Sequence, residues 1–458
     1  MFPESSVRSA APVSQKERIV ILDSLRGIAI LGILLMNIPW FAFSRLIVSN
    51  PNLVDFTGAN YYSWYGIEWL LEGSQRALFS ALFGAGMLLF LSRQERRATG
   101  VMPAEFFFRR QLWLLAFGLF NAYVLLWPGD ILFHYAILGM MLFAFRRLTP
   151  KHLLIAAAAC LLFQTMRENA NFYRDKALVH RGEILARTDT TNVKLSPLQR
   201  ETLQEFVQFK QKNSFQGKKE LMEGVVRRMQ GPYSTVYRNQ SDFAFRMETT
   251  GMFDSAFFDV LLFMFIGMAF YKNGILLGKA PMKTYWMLFL VGLGVGLVIS
   301  YFRLKPLLES NFDYYAYSKK VWFEYYGISR FFRALGIFGG IMLLYKCGIC
   351  RWLFALMRPV GQMAFTNYLA QSLLCGIYFY GIGFGKFGKL QYHQMYYVVG
   401  IVWVIEIVWS HLWLRYFRFG PLEWLWRSLT YWQVQPMRKN RQLTAEDPQP
   451  AKVFVIQD

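Results

Sequence analysis

Ten apolar stretches dominate this 458-residue chain and constrain its fold more than any other feature. A helix that spans a bilayer needs about 20 mostly apolar residues. Backbone polar groups in lipid must be satisfied within the helix, so such stretches favour an all-α bundle. We therefore predict a polytopic transmembrane helical bundle of about ten spans with one helical insertion outside the membrane. The stretches are residues 27–47, 77–92, 111–127, 131–145, 152–166, 255–271, 284–302, 331–346, 363–385 and 396–417.

Basic residues outnumber acidic ones, 50 to 29, and give a formal net charge of +21. Short loops rich in Lys and Arg mark the cytoplasmic side of a membrane. On ten spans the basic loops all fall on one side, which predicts that both termini are cytoplasmic. These loops would contact anionic membrane lipids, and no basic helix or RNA-binding motif indicates a nucleic-acid partner. The basic residues of these short loops are Arg93, Arg96, Arg97, Arg109, Arg110, Arg146, Arg147, Lys151, Lys272, Lys279, Lys283, Lys346, Arg351 and Arg358.

The pattern divides the chain into six segments. The first apolar run lacks a small-residue cleavage site, so we interpret it as a retained helix and not as a signal peptide. The segments are a cytoplasmic tail (1–18), spans one to five (19–166), an extracytoplasmic helical insertion (167–250), spans six to ten (251–417), an interfacial amphipathic helix (418–435) and a second, disordered cytoplasmic tail (436–458).

The insertion carries helix signals of its own. Ser196, Pro197 and Gln199 form the pattern of a capping box with a first-turn proline, which predicts a helix that begins there. A second helix is predicted from Lys218 to Met229. Both patterns are amphipathic, and they are compatible with either a structural cap or a functional lid over the bundle.

The glycine pairs indicate close helix packing, and the cysteines do not indicate a metal site. Pairs such as Gly84 with Gly86 and Gly336 with Gly340 let helices approach closely. Cys347 and Cys350 form a CxxC pair without a second Cys or His pair nearby. We therefore predict reduced thiols and no metal site.

Ionisable and amide side chains inside spans are expensive and usually face the interior of the bundle. The topology puts several of them at a similar depth in the outer half of the membrane, so we predict one polar cavity that opens outward, with Arg26 at its cytoplasmic side. Glu72 and Arg76 have i,i+4 spacing, which predicts an ion pair. Asp254 and Asp259 are interpreted as residues near a loop. The candidate site residues are Asp23, Arg26, Asn37, Glu68, Glu72, Arg76, Asp130, His134, Tyr135, Asn367 and Gln371.

His134 lies one turn after Asp130, and a carboxylate next to a histidine favours a role as general base. A histidine in contact with interfacial water would have the same position without any catalytic role.

Several motifs resemble the bacterial YeiB-like membrane proteins, a family without settled function (domain of unknown function 418). The opening Leu22–Gly32 with Asn37, the Leu82–Gly86 and Gly129–Leu132 motifs, the segment Gly361–Gln371 and the carboxyl-terminal Gly420–Arg427 carry this resemblance. The family implies a multi-pass protein of the bacterial cytoplasmic (inner) membrane.

The first helix is more distantly similar to the transmembrane acyltransferase superfamily, which includes heparan-α-glucosaminide N-acetyltransferase and polysaccharide O-acetylases. Those enzymes move an acyl group from a cytoplasmic thioester to an acceptor across the membrane. Arg26 matches their arginine, and Asn37 stands where the O-acetylases have a histidine. The resemblance implies that Arg26 receives the thioester, that Asn37 orients a carbonyl, and that His134 or Glu72 acts as base.

Three functions follow as hypotheses, of which the third is a structural or regulatory role that needs no cavity. An acyltransferase-like protein would use acetyl-coenzyme A or another acyl-coenzyme A as donor and a small molecule or glycan as acceptor. A transporter or binding protein for a small anionic or lipid-linked metabolite would use the same polar groups without chemistry. A homodimer is compatible with each of these functions.

Overall fold

The computed structural model describes residues 19–97, 100–188 and 195–439, and helices joined by turns and loops make up these ranges. The described residues contain no β-strand, only an isolated bridge between Phe417 and Arg438. The tail 1–18 and most of the tail 436–458 lie outside the described residues. The all-α class predicted from the sequence is confirmed. The helices are α1 Val20–Ala42, α2 Arg45–Ser49, α3 Gly58–Leu70, α4 Ser74–Arg97, α5 Met102–Tyr123, α6 Leu132–Leu142, α7 Pro150–Arg187, α8 Pro197–Asn213, α9 Phe215–Met229, α10 Tyr233–Glu248, α11 Phe257–Lys272, α12 Met282–Glu309, α13 Tyr314–Lys320, α14 Tyr326–Lys346, α15 Arg351–Gln362, α16 Ala364–Phe379, α17 Met395–Tyr416 and α18 Pro421–Tyr431.

Each predicted apolar stretch coincides largely with a helix, and the helices form a bundle around one large apolar core. Five helical segments are long and apolar enough to cross a membrane by length and composition. The number of spans and the sides of the termini stay predictions. The five segments are Val20–Ala42, Gly58–Arg96, Met282–Glu309, Tyr326–Lys346 and Met395–Tyr416.

Glycines bring pairs of helices into close contact, as predicted. A Cβ added to Gly292 of α12 would lie 2.6 Å from the backbone nitrogen of Gly336 in α14. One added to Gly84 of α4 would lie 2.3 Å from the carbonyl oxygen of Met264 in α11. Only hydrogen fits at these two crossings, so the helix backbones approach each other directly.

Two helices are interrupted within the bundle. Between α3 and α4, Gly73 adopts a left-handed conformation with φ +72°, and an added Cβ there would lie 2.2 Å from the Arg330 side chain. Between α15 and α16 the break falls at Met363. Both breaks lie beside the polar sites described below.

The insertion contains more helix than the sequence predicted. The capping box of Ser196 and Gln199 is present at the start of α8, and α9 covers the second predicted helix. Helix α7 continues to Arg187, so the predicted boundary at residue 167 falls inside a helix, and α10 was not predicted. The apolar pattern ends near residue 166, but the helix goes on because α8 and α13 pack against its polar continuation.

Candidate functional site

Seven charged residues, from five helices and from the break between α3 and α4, form the first polar site, which we call the arginine–carboxylate network. Arg303 pairs with Glu68 at 3.0 Å, and Arg76 pairs with Asp259 at 2.8 Å. Arg330 also pairs with Asp259, and Arg333 pairs with Glu72 at 3.3 Å. Arg330 and Arg333 are 1% and 0% exposed. The members of the network are Glu68, Glu72, Arg76, Asp259, Arg303, Arg330 and Arg333.

Two predictions about this region were wrong. Glu72 and Arg76 do not pair with each other, because Glu72 lies in the break before α4 and turns to Arg333 and to the Tyr326 hydroxyl at 2.6 Å. Asp259 is not a loop residue, since it lies in the first turn of α11 with 2% exposure and bridges Arg76 and Arg330.

Arg333 also completes the interrupted end of α3. Its guanidinium donates to the carbonyl oxygens of Glu68 at 2.8 Å, Trp69 at 3.0 Å and Glu72 at 2.7 Å. The last carbonyls of a helix have no partner within it and carry partial negative charge. A cation from α14 therefore satisfies them, and the network serves to hold the helix break.

Asp130 and His134 are buried, and their hydrogen bonds go to nearby helix ends and backbone groups. Asp130 accepts hydrogen bonds from Asn121 Nδ2 and from the backbone nitrogen of Phe133, both at 2.8 Å, and so caps the start of α6. The ring nitrogens of His134 contact backbone oxygens, Nδ1 that of Asp130 at 3.1 Å and Nε2 that of Met247 at 3.2 Å. The histidine contacts the main chain of Asp130 and not its carboxylate.

Asn367 and Gln371 join α16 to its neighbours. Asn367 accepts a hydrogen bond from Trp409 Nε1 at 2.7 Å and donates to Ser410 Oγ at 3.1 Å. Gln371 donates to the carbonyl oxygen of Ile30 at 3.1 Å and to the buried Glu406 at 3.0 Å. Asn37 is half-buried on α1. The predicted site residues are thus divided among several separate sets of contacts.

The second polar site is a cavity of about 260 Å³, which we call the basic cavity. It lies at the end of the bundle where α1 begins, which is the end predicted to face the cytoplasm. Four half-buried arginines from four helices line it: Arg26 of α1, Arg93 of α4, Arg110 of α5 and Arg427 of α18.

Three predicted site residues, Asp23, Arg26 and Tyr135, also line the basic cavity. Sequence reasoning missed Arg93, Arg110 and Arg427, which it interpreted as loop or interface anchors. A signal was present in the sequence, since each of these arginines lies within three residues of an aromatic residue at an end of an apolar run.

The carboxylates of the cavity are used in different ways. Asp23 accepts from Arg26 at 3.2 Å and from Gln362 at 3.4 Å. Glu423 caps α16 instead, accepting from the backbone nitrogens of Phe365 and Thr366 at 2.8 and 3.1 Å. Burial raises the pKa of the Glu423 carboxyl, and the hydrogen bonds from Thr366 and Phe365 act in the opposite direction.

Aromatic rings position two of the arginines. The guanidinium of Arg110 lies 3.5 Å from the centre of the Trp426 ring, and that of Arg427 lies 4.4 Å from the Phe419 ring. Stacking on a ring fixes the plane of a guanidinium group, whose N–H donors lie along its edge.

The inner part of the cavity is apolar and deep. Phe79, Phe83 and Met87 of α4 line it, followed by Arg93 at the basic end. Phe79 and Arg93 are fourteen positions apart on one helix, which corresponds to roughly 21 Å at 1.5 Å per residue. The arrangement suits a molecule with an anionic head and an apolar tail.

This fold and these contacts define a polytopic, all-α membrane protein with a basic cavity at one end of its bundle. The model of a family described as "Protein of unknown function (DUF418)" matches residues 270–433. The chain is 29% identical to "Uncharacterized protein YxaH" of Bacillus subtilis (strain 168), over 94% of this chain and 98% of that protein. It is 28% identical to "Uncharacterized protein YeiB" of Escherichia coli (strain K12), over 90% of this chain and 96% of that protein.

A third relative, "Uncharacterized 39.9 kDa protein in amylase 3'region" of Bacillus acidopullulyticus, is 27% identical over 92% of this chain and 96% of that protein. No solved structure matches the chain. The chain is similar to YeiB-like proteins over nearly its whole length, in agreement with the resemblance that its sequence motifs indicated.

Proposed function

We propose that the protein binds an acylated, phosphate-bearing anion in the basic cavity. The observation that carries this proposal is the division of the cavity into a basic end with four arginines and an apolar interior. The ligand would enter from the end at which α1 begins, with its phosphates at the arginines and its acyl chain between α4 and α5.

The charge balance of the cavity supports an anionic ligand. Its lining contains four arginines and two carboxylates, Asp23 and Glu423. Glu423 directs both carboxylate oxygens to the start of α16, so its charge stabilises a helix N-terminus. Arginine presents a planar fork of donors that matches phosphate oxygens. A phosphate group would therefore offset the excess positive charge.

An acyl-coenzyme A combines both required features in one molecule. Acetyl-coenzyme A carries the phosphates with a two-carbon acyl group, and longer acyl-coenzyme A species add apolar length. Each buried CH₂ group contributes about 0.8 kcal/mol, so affinity should rise with chain length until the apolar interior is filled.

Thermal unfolding of the purified protein in detergent tests this proposal. Octanoyl-coenzyme A should raise Tm more than acetyl-coenzyme A, and at 100 times Kd the stabilisation should reach about 2.7 kcal/mol. Arg26→Gln should weaken binding about tenfold, which is about 1.4 kcal/mol. Arg415→Gln, an exposed change on α17, is the matched control and should bind as the wild type does. Equal responses of both variants, or no response of the wild type, would reject the proposal.

Acyl transfer to an acceptor on the outer side is a second candidate function. The length of the cavity favours it, because the lining reaches from Arg93 to Leu132 and Tyr135 near the start of α6. His134 would be the base only if it exchanged its backbone contacts for an acceptor hydroxyl or amine.

Proteoliposomes with labelled octanoyl-coenzyme A outside separate the two functions from transport. Free coenzyme A thiol that appears together with an acylated glycan or small-molecule acceptor supports transfer. Intact thioester that accumulates inside supports transport, and saturable binding without either change supports a binding protein.

A further inference from the structure

A second, smaller pocket lies away from the basic cavity, at the end of the bundle predicted to face outward. It has a volume of about 230 Å³. Three segments converge on it: the turn after α2, the junction of α8 and α9, and the turn between α12 and α13. Its polar lining residues are Asn50, Asn52, Asn213, Lys218, Ser310, Asn311 and Asp313.

Lys218 is the most unusual residue of this pocket, since this lysine is only 6% exposed. Its ammonium donates to Asn50 Oδ1 at 2.6 Å and to the carbonyl oxygen of Phe312 at 3.4 Å. An ammonium has three donors, and among the described residues only these two acceptors lie within hydrogen-bond distance. One N–H donor is therefore left for a ligand.

Within the part of the chain that the structure describes, Asn52 has an unpaired hydrogen-bond acceptor, which complements the unpaired donor of Lys218. Its Nδ2 donates to the backbone oxygen of Asn311 at 2.8 Å, while its buried Oδ1 has no hydrogen-bond partner among the described residues. Asp313 uses Oδ1 to cap α13 through the backbone nitrogen of Tyr315 at 2.9 Å. The pocket thus combines an unused donor with an unused buried acceptor, and each costs free energy if it stays unpaired.

We propose that this pocket binds a small neutral polyhydroxylated molecule, such as a single hexose unit or a cyclic polyol. A hydroxyl group both donates and accepts, so neighbouring hydroxyls of one ligand would accept from Lys218 and donate to Asn52. The exposed ring of Phe215 at the rim offers an apolar face to the C–H side of such a ring.

Other ligand classes fit the unused groups less completely. A carboxylate or phosphate would accept from Lys218 but would leave the Asn52 oxygen unsatisfied. A cation would bind the Asn52 oxygen but would be repelled by the Lys218 ammonium. The inference does not depend on the ligand of the basic cavity.

Saturation-transfer NMR on the full-length protein in detergent tests the inference, with glucose and myo-inositol as probes and lactate as an anionic comparator. Glucose or inositol should give a saturable signal, and Lys218→Met should reduce the affinity about tenfold or more. Lys219→Met changes the exposed neighbour on the same helix and should bind as the wild type does. The coenzyme A response of the basic cavity should be unchanged in both variants.

If Lys218→Met does not fold, Asn213→Leu provides the second variant, because the Asn213 amide bonds only within its own helix, to Phe209. This change should also weaken the hexose signal. A wild-type protein that gives no saturable signal with either polyol overturns the inference, as do equal affinities of wild type and Lys218→Met. Binding of lactate without binding of the polyols would overturn the ligand class.

Discussion

The arginine–carboxylate network and the basic cavity use the same side chain for opposite purposes. In the network, Arg330 and Arg333 are almost completely buried, and their guanidinium groups meet carboxylates or backbone carbonyls. In the basic cavity, Arg110 and Arg427 lie on aromatic rings beside open space. Arginines of the first kind hold helices together, and those of the second kind line the cavity in which we propose that a ligand binds.

Each region also contains an interrupted helix that is completed by a charge from elsewhere in the chain. Arg333 of α14 satisfies the carbonyl end of α3, and Glu423 of α18 satisfies the amide end of α16. A cation at a helix C-terminus and an anion at an N-terminus both match the helix dipole. The difference is that the first break is closed by the network, while the second forms a wall of the cavity.

We predict that the insertion and the basic loops face opposite sides of the membrane. Chemical labelling of one position on each side should give an all-or-none difference. Arg200→Cys on α8 and Lys279→Cys in the loop after α11 are exposed positions, to be made after Cys347 and Cys350 are changed to serine. An impermeant maleimide added to intact cells should label residue 200 but not residue 279. After permeabilisation both should react.

Labelling of both positions in intact cells would reject the topology and would move the entrance of the basic cavity away from the cytoplasm. Cys160 and Cys375 are buried and provide an internal background in the same samples.

Arg330→Met should give the largest loss of stability. It leaves Asp259 without one of its two partners in a position that is 2% exposed. Removing one partner of a buried ion pair typically costs about 3–5 kcal/mol. The free energy of unfolding in detergent, measured for the purified variant, should fall by this amount.

Arg167→Met is the matched control, because Arg167 pairs with Asp254 at the surface, where the two side chains are 38% and 57% exposed. Such pairs contribute about 0–1 kcal/mol. Similar losses for the two variants would mean that the network does not differ from an ordinary surface ion pair.

The sequence predicted the helical class and the positions of the apolar helices because hydrophobic length is a local property. The capping box at Ser196 was predictable for the same reason, since Gln199 lies within the same turn. The continuation of α7 to Arg187 was not predictable, because it depends on packing against distant helices.

The site was harder to predict because its partners lie far apart in the chain. The polar character of Glu72 and Arg76 was evident, and their i,i+4 spacing predicted that they pair with each other. Because the helix is interrupted at Gly73, Glu72 pairs with Arg333 and Arg76 pairs with Asp259 instead. Arg26 was identified through a motif. Arg110 and Arg427 line one cavity only because α18 packs against α5, where Trp426 Nε1 donates to the carbonyl oxygen of Arg110 at 2.9 Å.

Gly84 and Gly86 give a smaller test of the same contrast between packing and open space. Gly84→Ala places a methyl group 2.3 Å from a backbone oxygen of α11, and overpacking of this kind costs about 1–3 kcal/mol. Gly86→Ala meets only the end of the Arg26 side chain at 3.1 Å and should leave the free energy of unfolding nearly unchanged.

Gly86→Leu extends this test to function. The larger side chain would project into the basic cavity and should abolish the Tm response to octanoyl-coenzyme A while all four arginines remain. A Gly86→Leu protein that is stable and still responds would show that the ligand does not occupy the cavity beside α4.

Glu423→Gln should have the smallest effect and separates the role of Glu423 at the helix end from a role in ligand binding. Burial raises the pKa of this carboxyl above the 4.5 of the unfolded chain, so the folded protein retains the proton to higher pH. Its contribution to the free energy of unfolding is therefore present at low pH and is lost as pH rises from about 4.5 through the folded pKa. Glutamine keeps a capping oxygen, so stability at pH 7 should change by about 1 kcal/mol or less, and the decline of Tm with pH should flatten. Glu223→Gln, an exposed change on α9, should retain the wild-type profile.

Because Glu423→Gln also removes a negative charge from the cavity, octanoyl-coenzyme A should bind to this variant at least as tightly as to the wild type. Weaker binding would mean that Glu423 contacts the ligand, and the division between a capping acid and ligand-binding arginines would fail.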